Sequence, residues 1–269
     1  MVDDTPGRAG ELLGRVRESA PLVQNITNDV AMTFVANTVL AGGGSPAMIA
    51  APEEAGEFAR LAGALTVNIG TLSASSLEGM GLAAHAANRA GTPWVLDPVA
   101  HFATAFRRGA ITDLLALRPT VIRGNASEIR ALAGEASAGR GVDSAEATDT
   151  AEDAARLLGR SKQAVVAVTG AHDFVTDGER ALRLDGGSPL MARVTAAGCA
   201  LTGLTGAFAA VARDTPFDAV VAALAAFGVA GERADGSAHG PGSFVPAFLD
   251  ALGALDAETL AADARIVTA

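Results

Sequence analysis

The sequence predicts a three-layer α/β/α fold around a mostly parallel sheet, and three observations carry that prediction. Short apolar runs bounded by Gly or Pro alternate with longer amphipathic stretches along most of the chain. Those runs are continuous instead of alternating with polar residues, the pattern of strands buried on both faces. No internal repeat or low-complexity linker divides the 269 residues, which suffice for one large core, so a single domain over residues 1–269 is expected.

The first strand is expected at residues 47–50, after the turn Gly42-Gly43-Gly44-Ser45-Pro46. Residues 65–69, 94–96, 121–123 and 164–168 continue the series, each a short apolar run. Between them the spacing predicts helices over 29–41, 52–62, 73–90, 127–133 and 150–158. Residues 174–184 break the alternation, because Asp177-Gly178 between two β-prone runs marks an antiparallel hairpin. After Arg193 the chain is expected to be helical to its end, over 198–212, 217–233, 244–252 and 257–264. Ser243 is the expected cap of the third of these helices, and Asp256 and Glu258 suit the start of the last.

Composition excludes several functions. Thirty acids against 20 bases leave a formal charge of -10, with no basic face for a nucleic-acid backbone. Lys162 is the single lysine and no GxxxxGK[ST] occurs, so a Walker A loop is absent. One cysteine, Cys199, rules out an intramolecular disulfide and every CxxC zinc site, and the four histidines form no HExxH pair. Residues 194–212 carry no charge, yet they are mostly Ala, Gly and Thr, which suits a helix buried in a protein core better than a membrane span. The acidic N-terminus lacks the basic-then-apolar order of a signal peptide, so the cytoplasm is the expected compartment.

In such folds ligands sit outside the carboxyl ends of the strands. Asp97, directly after a buried run, is placed either to hold a metal or phosphate-bound magnesium or to cap the next turn. Arg123 ends a strand and can clamp phosphates, while Asn125 and Glu128, one helical turn apart, either organise Mg²⁺ or form a capping box. Thr169-Gly170 offers a strand-terminal hydroxyl to a phosphate oxygen, or is an ordinary turn. Val194-Thr195-Ala196-Ala197-Gly198-Cys199 leads small residues into the uncharged helix, so backbone N–H groups converge where an anion can bind. Cys199 falls in the first turn, where the helix dipole lowers a thiol pKa, unless it is simply a small buried hydrophobe. His101, close behind Asp97-Pro98, is a further candidate to face a ligand; His85 suits an exposed helix position, and His172 and His239 lie in turns.

Taken in order, these segments resemble the hydroxyethylthiazole kinases of thiamine salvage, within the ribokinase-like superfamily. The resemblance rests on Pro21-Leu22-Val23-Gln24-Asn25-Ile26-Thr27-Asn28, Asn37, Ala41-Gly42-Gly43-Gly44-Ser45-Pro46-Ala47-Met48 and Asn68-Ile69-Gly70-Thr71-Leu72. It continues through Leu96-Asp97-Pro98-Val99, Arg123-Gly124-Asn125-Ala126-Ser127-Glu128, Gly141-Val142-Asp143-Ser144 and Gly240-Pro241-Gly242-Ser243-Phe244. It implies transfer of the ATP γ-phosphate to the primary alcohol of 4-methyl-5-(2-hydroxyethyl)thiazole, with Mg²⁺. By the same resemblance Met48, Asn25 and Ala196 bind the thiazole alcohol, Arg123 and Thr169 the ATP phosphates, and Asp97 and Glu128 the metal. Gly198 and Cys199 form the anion hole, with Cys199 as base where the wider superfamily has Asp. A homotrimer with sites between subunits is also implied. The alternatives within and outside the superfamily are a kinase of another alcohol, such as a hydroxymethylpyrimidine, and a ligand-binding protein that hardly turns over.

Three positions depart from that family's pattern. Ala196-Ala197 stand where members read Gly-Thr, Ala100-His101-Phe102 replace a glycine-rich continuation, and Gln24 replaces a histidine. The methyl of Ala196 is expected to crowd the alcohol or to push the backbone out of a glycine-only region.

Overall fold

A computed structural model describes residues 5–134 and 151–269; Gly141-Val142-Asp143-Ser144 and the expected helix start at Thr150 lie outside them. Nine strands form one sheet in the order β2-β1-β3-β4-β5-β6-β7-β8-β9 among the described residues. They are β1 Leu22–Ile26, β2 Ser45–Ala47, β3 Ala64–Asn68, β4 Trp94–Asp97, β5 Val121–Asn125, β6 Val165–Thr169, β7 His172–Thr176, β8 Ala181–Asp185 and β9 Arg265–Thr268. Pairing is parallel from β2 through β6 and antiparallel from β6 to β9.

The pleat sends alternate side chains into two separate cores, which is what makes three layers. Val95, Val165 and Ala167 point into one core, against the helices Thr5–Ser19, Ala197–Val211, Pro216–Asp235 and Pro241–Ala254. Trp94, Leu96, Val166 and Val168 point into the other, against Pro52–Phe58, Ala74–Ala90, Ala105–Ala116, Ala126–Leu132 and Glu152–Lys162. Both faces of the parallel strands are therefore covered, as their continuous apolar runs require.

The expected hairpin is present: β7 and β8 pair Phe174 with Arg183 and Thr176 with Ala181, and Gly178 takes φ +98° in the turn. Three expectations are corrected. The first predicted strand is shorter and earlier, Ser45–Ala47, because the Gln24 amide takes the Ile49 carbonyl at 3.0 Å and ends the ladder. The chain is not helical to its end, since Arg265–Thr268 is β-branched at its centre and adds a strand beside β8. Ser243 is not the cap of its helix, which starts at Gly240-Pro241; its hydroxyl accepts from His239 N at 2.8 Å.

The helix Ala197–Val211 lies flat on the sheet, and its residues Ala200 to Ala209 are all buried. Glycine makes that approach possible. A Cβ on Gly206 would lie 2.7 Å from Thr66 Cγ2 and 2.9 Å from Val23 Cγ1. Gly206→Val should therefore cost about 1–3 kcal/mol of stability by overpacking. Urea unfolding checks this, and an unchanged midpoint would mean that the helix can lift away freely.

Candidate active site

The parallel strands all deliver their carboxyl ends to one edge of the sheet, and the N-terminus of the helix Ala197–Val211 meets them there. At the centre is Asp97, the last residue of β4 and only 1% exposed. Its Oδ2 accepts from Asn68 Nδ2 at 2.7 Å and Thr202 Oγ1 at 2.8 Å, with Arg123 Nη1 at 3.5 Å. Burial pushes the Asp97 pKa up and neighbouring Glu128 adds to this, against the lowering effect of Arg123, Thr202 and Asn68. Asp97 and Glu128 thus lie within electrostatic reach of each other, with the Arg123 guanidinium beside Asp97.

Arg123 reaches the site from β5. Its Nη2 donates to Thr169 Oγ1 at 2.5 Å, at the end of β6. The guanidinium also lies over the start of the buried helix: a Cβ on Gly198 would sit 2.7 Å from Arg123 Nη1. A guanidinium against the positive end of a helix dipole is repulsive until an anion joins them.

Glu128 shows one of the two readings of the Asn-x-x-Glu spacing. It forms the capping box, with Asn125 N donating to Oε2 and Glu128 N to Asn125 Oδ1, each at 2.9 Å. Its Oε1 accepts from Ala100 N at 2.9 Å, which latches the loop after β4 beside Asp97.

Cys199 carries the main correction. Its Sγ accepts from Asn28 Nδ2 at 3.1 Å and Asn68 Nδ2 at 3.2 Å. The expected lowering of its pKa does not occur: burial first, then the charge of Asp97, push the thiol up to about 11. Arg123 and the two amides pull the other way but do not prevail.

The structure thus gathers Asp97, Arg123, Glu128, Thr169, Gly198 and Cys199. Met48 lies half-buried just past β2, at the same edge. Asn25 is placed differently. Its amide donates to Val23 O at 3.0 Å and accepts from Thr66 Oγ1 at 2.8 Å, and at 1% exposed it shapes the floor under the helix. His101 does not present itself to a ligand: it is 4% exposed, burial drops its pKa to about 4, and its ring packs edge-on against Phe102.

Sequence reasoning gave no role to Asn28, Asn68 or Thr202. The first two lie in segments already singled out, and Thr202 is three residues from Cys199 on the same helical face, a usable signal. Asp173 was also missed; its Oδ1 accepts from Gly170 N at 3.0 Å and holds the turn after Thr169. Its pKa is pushed up to about 6, chiefly by burial.

The model of the hydroxyethylthiazole kinase family matches residues 13–258. A hydroxyethylthiazole kinase of Rhizobium johnstonii is 64% identical over 260 residues, covering 97% of each chain. The chain belongs to the hydroxyethylthiazole kinase family. Among solved structures, the hydroxyethylthiazole kinase protein from Pyrococcus horikoshii OT3 superimposes with a TM-score of 0.89 at 41% identity, over 97% of this chain and 98% of that one. A ribokinase-like superfamily protein from Enterococcus faecalis V583 shares the fold alone, with a TM-score of 0.63 at 13% identity over 86% of each chain. Membership makes the chain a phosphotransferase, and hydroxyethylthiazole kinases phosphorylate the alcohol of that thiazole.

The departures from the hydroxyethylthiazole kinase pattern now have a geometry. Ala196 keeps the left-handed backbone, at φ +69° and ψ 7°, and Ala100 does so at φ +47°. Neither methyl has pushed the chain out of the conformation that favours glycine. Gln24 pins the loop that carries Met48, because its Nε2 donates to Ile49 O at 3.0 Å and to Ala55 O at 3.1 Å.

The strained alanine and the buried thiol can each be tested. Ala196→Gly removes about 1–2 kcal/mol of left-handed strain and adds about 0.5–1 kcal/mol of glycine entropy, so stability should rise by up to about 1.5 kcal/mol. Chemical denaturation reads the sign, and a loss of stability would refute the strain. Iodoacetamide labelling of Cys199 should stay slow at neutral pH and climb towards a pKa of about 11. An inflection below the ~8.5 of an ordinary thiol would restore the activated cysteine that the sequence suggests.

Proposed function

We propose that this chain transfers the γ-phosphate of ATP, with Mg²⁺, to the primary alcohol of 4-methyl-5-(2-hydroxyethyl)thiazole. The observation that carries the phosphoryl-transfer part is the Arg123 guanidinium lodged against Gly198 at the helix N-terminus, between Asp97 and Thr169. Family membership supports the choice of alcohol.

Phosphoryl transfer asks for positioning and charge neutralisation and needs no covalent intermediate. In the proposed reaction the alcohol oxygen bonds to the γ-phosphorus as the bond to the β–γ bridging oxygen breaks, and ADP leaves. Arg123 and Thr169 hold the phosphates, and the N–H groups at Gly198 and Cys199 face the charge that builds up on the transferring group. Asp97 and Glu128 would hold Mg²⁺, largely through water, since both Glu128 oxygens already accept backbone N–H groups. Bound there, the metal neutralises phosphate charge. Met48 packs on the thiazole, the backbone at Ala196 lies against the alcohol, and Asn25 supports that side from beneath. The proposed base is Cys199 as its thiolate, a scarce form at neutral pH because the thiol holds its proton to about pH 11; from the protonated enzyme the alcohol proton leaves to water or to an oxygen of the transferring phosphoryl group.

The proposed unit is one kinase domain over residues 1–269, working in the cytoplasm as a homotrimer with sites between subunits. No helix among the described residues is long and apolar enough to cross a membrane. Val30 and Met32, beside Asn28, are 70% and 39% exposed and offer apolar surface on the substrate side.

One assay tests the reading. Purified protein with Mg²⁺-ATP should release ADP when given the thiazole alcohol and not with pyrimidine or pyridoxal alcohols. ADP release only with another alcohol would change the substrate, and saturable thiazole binding without ADP would make the chain a binding protein. Within the active enzyme, Cys199→Ser should lower turnover by up to about 10²-fold, the lower end of general-base assistance. Cys199→Asp, ionised at neutral pH, should retain or exceed it. Full rate in Cys199→Ser would remove the base role.

A further inference from the structure

The helix Ala105–Ala116 supplies none of the residues named so far, yet one of its side chains reaches the site. Arg107 Nη1 donates to Ile69 O at 2.6 Å and to Val99 O at 2.9 Å, and its Nη2 donates to Gly70 O. Ile69 and Gly70 follow β3, and Val99 follows β4. The last backbone bond between these two strands runs from Ile69 N to Asp97 O at 3.3 Å, and Arg107 extends the tie beyond it.

The peptide units that Arg107 grips matter more than the number of bonds. The carbonyl of Ile69 shares its peptide plane with Gly70 N–H, which donates to Asn68 Oδ1 at 2.9 Å. The carbonyl of Val99 shares its plane with Ala100 N–H, which donates to Glu128 Oε1 at 2.9 Å. A trans peptide is rigid and its C=O and N–H point in opposite directions, so fixing one end aims the other. Asn68 in turn serves Asp97 at 2.7 Å and Cys199 at 3.2 Å. Gly70 also lies against the other amide on Cys199, since a Cβ there would come within 2.6 Å of Asn28 Nδ2. A charged donor strengthens both chains of hydrogen bonds by polarising the peptides it holds.

We propose that Arg107 is a positioning residue for phosphoryl transfer: it holds the carbonyl ends of peptides 69–70 and 99–100 and thereby aims their N–H ends at Asn68 and Glu128. Through those two side chains it sets Asp97, Cys199 and the loop behind the metal-facing acids. The functional part of this inference rests on the reading of the site given under Proposed function. Its geometric part does not.

The full-length chain carrying Arg107→Ala or Arg107→Lys tests both parts. Amide hydrogen exchange at Gly70 and Ala100 should speed up about ten-fold or more in Arg107→Ala, with Arg107→Lys in between because one ammonium replaces a forked donor. Turnover of the thiazole alcohol should fall about 10- to 100-fold, the usual cost of losing a supporting hydrogen bond, with KM for the alcohol nearly unchanged. Calorimetric affinity for Mg²⁺-ADP should weaken by a similar factor. Guanidinium ion, well below denaturing concentrations, should restore part of the turnover of Arg107→Ala. Should the alanine variant not fold, the lysine variant supplies the same readouts. A lower melting temperature with normal turnover, nucleotide affinity and exchange at both amides would overturn the proposal. If wild-type protein releases no ADP, the kinase reading fails, while exchange at Gly70 and Ala100 still decides the geometric role of Arg107.

Discussion

A buried carboxylate at the end of β4 is the constraint on which the rest of the site depends. Asp97 is 1% exposed, and an ionised group in that position is costly unless donors surround it. Asn68 from β3, Thr202 from the helix Ala197–Val211 and Arg123 from β5 all serve its Oδ2. Three separate elements are thereby drawn to one atom, and each brings a neighbour with it. Asn68 brings Cys199, Arg123 brings Thr169, and Thr202 brings the helix N-terminus. The donors still do not cancel the effects of burial and of Glu128, so the Asp97 carboxyl holds its proton more tightly than a free one.

Thr202 can reach Asp97 only if its helix lies close to the sheet, and that requirement explains the run of small residues. Gly203 faces Val35 and Val39, Gly206 faces Thr66 and Val23, and Gly198 leaves room for Arg123. The chain must also enter this helix at a fixed angle, which it does through Ala196 in a left-handed conformation. Ala100 is held in a similar conformation after Asp97, with its N–H bound to Glu128 and the preceding carbonyl bound to Arg107. A left-handed alanine costs about 1–2 kcal/mol and persists only where the surroundings fix it. Both strained positions border the groups that would handle phosphate. Both are alanines in a backbone shape that glycine would adopt without strain.

The parallel half of the fold was legible because its strands are uninterrupted apolar runs, as at Val165–Thr169. Leu22–Ile26 escaped as a strand because Gln24 and Asn25 sit at its centre. Both are buried and satisfied by partners distant in sequence, Ile49, Ala55 and Thr66. The last strand, Arg265–Thr268, is short and exists through its pairing with β8. In the site, Asp97, Arg123, Thr169 and Cys199 announced themselves as polar or reactive residues at the ends of apolar runs. Arg107 gave no such signal: no element was expected over residues 105–116, where the structure has a helix, and an arginine between apolar runs reads as a solvated side chain. The rise in the Cys199 pKa was hidden for a related reason: helix position shows in sequence, but burial and the charge of Asp97 are tertiary facts.

That protonated thiol bears on how the proposed reaction can run. A thiolate at Cys199 would be a further negative group beside Asp97, in the cleft proposed to accept phosphates. Keeping the proton on sulfur is the cheaper state. An alcohol oxygen does not have to lose its proton before attack when the transition state is loose, with little bonding to the nucleophile. The proton becomes strongly acidic only as the new P–O bond forms, and water or an oxygen of the transferring phosphoryl group then suffices as its acceptor. On this view the site is organised to neutralise charge, through Arg123 and the helix N-terminus, and asks little of Cys199 as a base. A carboxylate at the same position would accept the proton more readily, but it would add a charge that the cluster around Asp97 already struggles to balance.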